Sequence, residues 1–349
     1  MDNIMLKELN EYYNKIENKG PYQGVLRFYS NNLEFMIDLS VSLYKLVNNE
    51  DNNKIIKEKK DVYVEDINYE LIEKVLYNLP TYIYNHYNFF KYKNALEIKR
   101  KEEGKEEPDS YYDKKANKII LVFKNNYHYI CELVHEIMHA TNTPNEIYAA
   151  QKILTEFISI YFENYTNDSL PNMGINSDEI DYFERLSIIN KKDILPAIFL
   201  LIKSKYGEIS MENLIKLNDE KHYFADINDY EFDYYCDLMY KAIKLFEISE
   251  SRSTSRLNNS NDNLSTFKWM SLNPINYLFN TALAFYAREN MDMETVEKIN
   301  DTLIHQPGIN IYSLFMKYNI KLDDDFIKKT LNATQNHINE HNKDNNLNI

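Results

Sequence analysis

The sequence predicts an α+β fold that is predominantly α-helical, with a small mixed or antiparallel sheet. Three observations predict it. Glycine is scarce, 6 of 349 residues, and prolines number 8, so few positions serve tight turns or break helices. Apolar residues recur at helical spacing through most of the chain. One run, Ala116 to Lys124 with Ile-Ile-Leu-Val-Phe inside it, departs from that spacing and reads as a strand.

Taken in order, residues 4–17 place Leu6, Leu9, Tyr13 and Ile16 on one side of a helix, and residues 32–48 read as a second. Residues 61–65, Asp-Val-Tyr-Val-Glu, alternate and predict a short strand. Residues 68–95 carry Tyr, Leu and Ile at helical spacing. Residues 99–117, with the run Lys-Arg-Lys-Glu-Glu-Gly-Lys-Glu-Glu-Pro-Asp, read as an exposed loop. After the strand at 116–124 the chain reads as helical. Asp193-Ile-Leu-Pro starts a helix that ends at Gly207. Residues 251–266, rich in Ser, Asn and Arg, read as a linker. A helical C-terminal part follows from 267 to about 334, and the polar tail from Gln335 onward is expected to fray.

Composition removes several classes of function. The net charge of −14 and pI of about 5.1 set most of the surface against nucleic acid and against an anionic membrane, so neither is expected as a partner. No GxxxxGK[ST] or GxGxxG run is present, which removes the usual nucleotide-binding readings. Two cysteines, Cys131 and Cys236, make no disulfide framework and suit a reducing compartment; Cys131, on an apolar stretch, reads as a buried small hydrophobe. The start of the chain has no basic segment leading into an apolar core, and the longest apolar run, Ile194 to Ile202, is too short to cross a bilayer and contains Pro196. The expected location is the cytoplasm, with leaderless export as the alternative. Nothing in the sequence sets an oligomeric state.

Residues 133–141 read Leu-Val-His-Glu-Ile-Met-His-Ala-Thr. On a helix, His135 and His139 project from one face and can grip one ion, for which imidazole favours zinc. Glu136, beside the first histidine, can take a proton from a water that the ion polarises and pass it to a leaving group. Ile130, Leu133, Val134, Ile137 and Met138 would bury the rest of the helix, and Pro144 is expected to stop it before Asn142. Thr143, Pro144 and Glu146 then form the N-cap, N1 and N3 of a new helix through Ile147, Ala150, Ile153, Leu154, Phe157, Ile158 and Tyr161. Glu156 falls in its middle among apolar neighbours. A carboxylate there needs a partner, and two histidines are one ligand short of a catalytic zinc site.

The stretch from Val134 to Thr141, followed by Leu154-Thr155-Glu156-Phe157-Ile158-Ser159-Ile160-Tyr161-Phe162, resembles the active site of the gluzincin metallopeptidases of the thermolysin-like clan. Glu156, Ile158, Ser159 and Phe162 are shared with that clan's Asn-Glu-Ala-Ile-Ser-Asp-Ile-Phe stretch. The resemblance covers about thirty residues. It implies one Zn2+ held by His135, His139 and Glu156, Glu136 as general base, a peptide or protein substrate, and a zincin-like active-site helix pair. It makes residues 116–250 a zincin-like catalytic core between an N-terminal helical and β region, 1–115, and the linker at 251–266, beyond which 267–349 form a helical C-terminal region. It also casts the Ile-Ile-Leu-Val-Phe strand as an edge strand that pairs with an extended substrate, with a plain core strand as the alternative.

Two departures leave the family within the clan open. The gap from His139 to Glu156 is about two or three residues shorter than in the thermolysin-like and aminopeptidase families, and it also resembles small intracellular peptidases that cut repressors. The aspartate expected one turn beyond the ligand, which orients a histidine, is Ile160 here. Glu146 is the rival third ligand. Glu163, two turns past Glu156, reads as solvated surface, with a place behind the ligands as the alternative. Of the remaining histidines, His222 is the candidate to stabilise an oxyanion, ahead of His128, His305, His337 and His341. The competing function is a helical partner-binding protein with a structural or vestigial zinc site, which would have no need of Glu136 as a base.

Overall fold

A computed structural model describes residues 23–57, 63–100, 109–124, 126–142, 148–189, 205–208, 210, 212 and 260–346. The expected helix at 4–17 and the apolar run 194–202 lie outside them, as do Cys236, His222, and the capping residues Thr143, Pro144 and Glu146. Within the described residues the fold is α+β and predominantly helical, with one three-stranded mixed sheet.

Three helices, α1 (Gln23–Asn31), α2 (Leu33–Val47) and α3 (Glu50–Lys57), open the described chain. In α2 the apolar spacing of Leu33, Met36, Ile37, Leu39, Leu43 and Val47 places all six in the core. The expected helical stretch 68–95 is two helices, α4 (Tyr69–Tyr77) and α5 (Thr81–Tyr92). Asn68 caps α4 by accepting a 3.0 Å bond from the Leu71 amide. Pro80 separates the two, because it lacks an amide hydrogen and disfavours helical geometry at the residue before it.

The sheet is built from β1 (Leu96–Arg100), β2 (Tyr111–Asp113) and β3 (Lys118–Phe123) in the order β1-β3-β2. β1 runs parallel to β3, with Leu96 opposite Ile119 and Arg100 opposite Phe123; β2 runs antiparallel, with Tyr111 opposite Ile120. β3 is central, and Ile119 to Phe123 are all buried, which is why it shows no alternation. This corrects two expectations. β3 is not an edge strand, and the stretch 99–117 contains the end of β1 and all of β2, while residues 101–108, which carry most of its charge, lie outside the described residues. Glu97, Lys99 and Arg100 of β1 are exposed, as suits a strand at a sheet edge. Residues 63–65, in the stretch read as a strand, carry no strand geometry.

Helix α6 (His128–Asn142) lies against β2 and β3 on one side and α5 on another, and runs through Asn142, the residue at which it was expected to have stopped. The long helix expected after Pro144 is divided at Leu154 into α7 (Ala149–Ile153) and α8 (Thr155–Ser169). Leu154 has φ −106° and ψ 11°, outside helical geometry. The break puts Glu156 in the first turn of α8 rather than mid-helix. It also frees backbone carbonyls, and the buried Asn280 side chain donates to Ile153 O at 2.7 Å and to Asn276 O at 2.6 Å. α7 in turn packs on α1 at Gly24, where an added Cβ would stand 2.7 Å from the Ala149 Cβ.

Asn280 belongs to α10 (Ser260–Asn290), which packs on α8 and α2; a short α9 (Glu184–Ser187) precedes it in the chain. α10 begins inside the stretch 251–266 read as a linker. Three further helices follow, α11 (Met293–His305), α12 (Ile311–Lys317) and α13 (Asp324–Asn346). The tail from Gln335 is therefore helical through Asn346 rather than frayed, because its inner face is buried: His337 and Ile338 are inaccessible, and Gln335 exchanges bonds with Asn52. A single buried cluster runs from Val25 to Ile338, and the expected division at 115/116 falls within the sheet. Gly207, where a helix was expected to end, has φ +86°, as a glycine after a helix commonly does.

Asn280→Ala removes the donor that closes the break at Leu154 and leaves a buried carbonyl unpaired. We expect it to destabilise the fold by about 1–3 kcal/mol, measured by urea denaturation, whereas Asn290→Ala at the exposed end of α10 should change stability by less than about 0.5 kcal/mol.

Candidate metal centre

Helix α6 buries Ile130, Leu133, Val134, Ile137 and Met138 completely and turns His135, Glu136 and His139 toward a cleft of about 650 Å³. Cys131 is buried as expected, its thiol 3.0 Å from Asn167 Oδ1. The imidazole Nε2 atoms of His135 and His139 stand 2.9 Å apart. Glu156 Oε2, delivered by the first turn of α8, lies 3.3 Å from the first and 3.5 Å from the second. Two donors held at 2.0–2.1 Å on a tetrahedral ion lie roughly 3.3–3.4 Å apart, so the three atoms fit around one zinc with small adjustments. The Glu136 carboxylate reaches within 4.8 Å of the histidine nitrogens and is 6% exposed.

The support behind these residues follows the alternative reading of Glu163 and adds Arg185, which was not read from the sequence. Glu163 is fully buried, not solvated surface, and its Oε2 accepts from His135 Nδ1 at 2.8 Å. A carboxylate only accepts, so Nδ1 carries a ring proton and Nε2 is the nitrogen that faces the cleft. Arg185 of α9 grips the same carboxylate through Nε to Oε1 and Nη2 to Oε2, both 2.6 Å, and donates through Nη1 to Tyr277 OH at 2.5 Å. Ile160, at the position where the resemblance supplies an aspartate, is core. The orienting carboxylate comes from one turn further along α8. The signal for Glu163 in the sequence is its place on the same helical face as Glu156; Arg185 carries no comparable signal.

The electrostatics match a cation site. Burial and the Arg185 charge press the His135 pKa down, but Glu156 and Glu163 outweigh them and raise it to about 10. Burial alone would raise Glu156, yet His139 and His135 hold it well below the ordinary carboxylate range. Glu163 is lowered likewise, burial being overcome by Arg185 and His135. Glu136 goes the other way: burial lifts it, partly offset by the two histidines. The site thus favours a positive charge between His135, His139 and Glu156, and leaves Glu136 the carboxylate closest to taking up a proton.

The short edge strand β2, not β3, borders the cleft, through Tyr111 and Tyr112; Tyr277 lines another part. His128, His305, His337 and His341 do not line it. His305 is an exposed partner of Asp301, His337 and His341 are buried elsewhere, and His128 is buried against Glu184, which lines the cleft. No known family model, no curated protein and no solved structure matches the chain.

Glu163→Gln removes the anion shared by Arg185 and His135. We expect a loss of about 3–5 kcal/mol of stability, read by thermal denaturation, and a fall in zinc affinity of about 10–100-fold, read by competition with a chromogenic chelator.

Proposed function

We propose that the chain is a zinc-dependent hydrolase of peptide bonds in peptides or proteins. The observation that carries this reading is the convergence of His135, His139 and Glu156 in one cleft with a buried Glu136 beside them. The ion, bound there, supplies a Lewis acid that acidifies water and polarises the scissile carbonyl. Glu136 accepts the water proton at its carboxylate and returns it to the departing amine, a role for which its raised pKa suits it. Glu163 and Arg185 keep the His135 ring in one orientation and one tautomer. Tyr277 accepts a bond from Arg185, so its own hydroxyl hydrogen remains to be given, and burial keeps the phenol protonated; we assign it the oxyanion-donor role. The outer edge of β2 offers backbone groups to an extended chain.

A structural zinc serves the partner-binding alternative, but such a site is normally closed by four protein ligands, often cysteine. The free Cys131 lies buried away from the cleft. Among the described residues no helix is long and apolar enough to cross a membrane. With the free thiol, this supports a cytoplasmic site of action.

Glu136→Gln is expected to abolish peptide turnover while leaving zinc content unchanged. Tyr277→Phe should lower kcat by about 100-fold with KM and zinc content nearly unaltered. Turnover that survives Glu136→Gln would rule out the hydrolytic reading; an effect of Tyr277→Phe on KM alone would remove its assigned role. Both are read by steady-state assay on a fluorogenic peptide library.

A further inference from the structure

Among the described residues three groups of histidine and carboxylate side chains bring candidate ligand atoms within 4.8 Å of one another. One is the centre described above. The group of Asp168, His337 and His341 already holds a cation, although His341 Nδ1 makes no hydrogen bond: His337 Nε2 donates to Tyr182 O at 2.9 Å, its Nδ1 faces Arg288, and Arg288 also pairs with Asp168 at 3.1 Å. An arginine occupies the place of a cation there, and His337 has no lone pair to spare.

The group of His128, Glu132 and Glu184 differs. His128 and Glu132 stand four apart on α6, one histidine–carboxylate pair upstream of His135 and His139, and Glu184 comes from α9 beside Arg185. Glu132 and Glu184 line the same cleft as the first centre. His128 is 4% exposed, and its Nε2 is directed at both carboxylates, 4.0 Å from Glu132 Oε1 and in contact with Glu184 Oε2. Yet neither ring nitrogen of His128 nor Glu184 Oε2 makes a hydrogen bond of acceptable geometry. His128 Nε2 and Glu184 Oε2 touch more closely than two ligands of one ion stand, so an ion shared by this group requires that pair to separate. The remaining oxygens are occupied. Ser110 Oγ donates to Glu132 Oε2 at 2.6 Å, and Lys124 Nζ holds Glu132 Oε1 at 2.8 Å and Asp109 at 2.9 Å, with Glu184 Oε1 at 4.0 Å.

We propose that His128, Glu132 and Glu184 form a second divalent-cation site in the cleft, for zinc or an ion of similar donor preference, competing with the Lys124 ammonium. One imidazole and two carboxylates suit such an ion. The site is weaker than the first, because Lys124 and the positive end of α6 both oppose a cation. Occupied, it offsets the negative charge of Glu132 and Glu184 at that end of the cleft. It stands on its own residues and does not require the first centre to be catalytic. The competing arrangement is an imidazolium: burial disfavours charge on His128, but Glu184 prevails and raises its pKa to about 9.

The test is a zinc titration of the full chain by calorimetry, with bound metal counted by mass spectrometry. Wild type should take a tight and a weaker equivalent. His128→Ala and Glu184→Gln should each lose the weaker one and keep the tight one, and His139→Ala the reverse. Lys124→Met should tighten the weaker site by at least tenfold, a gain that misfolding does not imitate. A weaker equivalent that survives His139→Ala but not His128→Ala upholds the second site even if the first reading fails. A single equivalent at saturating zinc, or a second one indifferent to His128→Ala and Lys124→Met, overturns the proposal and leaves His128 as an ion-paired imidazolium.

Discussion

The Glu163 carboxylate, sealed between Arg185 and His135, is the interaction on which the rest of the site depends. A buried anion is costly unless its oxygens are saturated, and here two guanidinium bonds and one imidazole bond do so. Their arrangement draws three segments together. α8 brings the carboxylate, α6 the ring and α9 the arginine, while α10 adds Tyr277 to the arginine's free edge. Because Glu156 lies on the same helix as Glu163, the residue that orients His135 from behind and the residue that meets its Nε2 from in front are fixed by one rigid body. The pair's stabilisation is fully present above the ordinary carboxylate pKa and is lost as pH falls toward the lowered value of Glu163.

With the helix broken at Leu154, Glu156 enters from the first turn of α8, where the helix dipole favours a carboxylate. Asn280 reaches across from α10 to close that break. α8 thus starts beside His135 and His139, with Glu156 facing their Nε2 atoms and Glu163, two turns on, facing the His135 Nδ1. Ile160, facing the core, has no access to the imidazole.

Much of this was legible in the sequence because it was local. The helix of α2, the strand of β3 and the face shared by His135 and His139 each follow from spacing within a few residues. β1 and β2 were missed because short edge strands carry charge and gain their identity from β3, a partner distant in sequence. The break at Leu154 was missed because its residues favour helix and the compensating donor lies 127 positions away. Glu163 read as surface because Arg185 cannot be paired with it from spacing alone. The helical tail from Gln335 read as polar because, beside Ile338, its buried side chains are His337 and His341, which only tertiary partners make tolerable.

The claim that everything else rests on is that His135, His139 and Glu156 hold one zinc ion. Metal content by mass spectrometry tests it most directly, on protein stripped with chelator, reloaded with zinc and desalted, with Glu156→Ala and His139→Ala alongside. The account predicts one equivalent retained by the wild type and lost in both variants. Wild type that retains none, or a Glu156→Ala variant that retains a full equivalent, would contradict it.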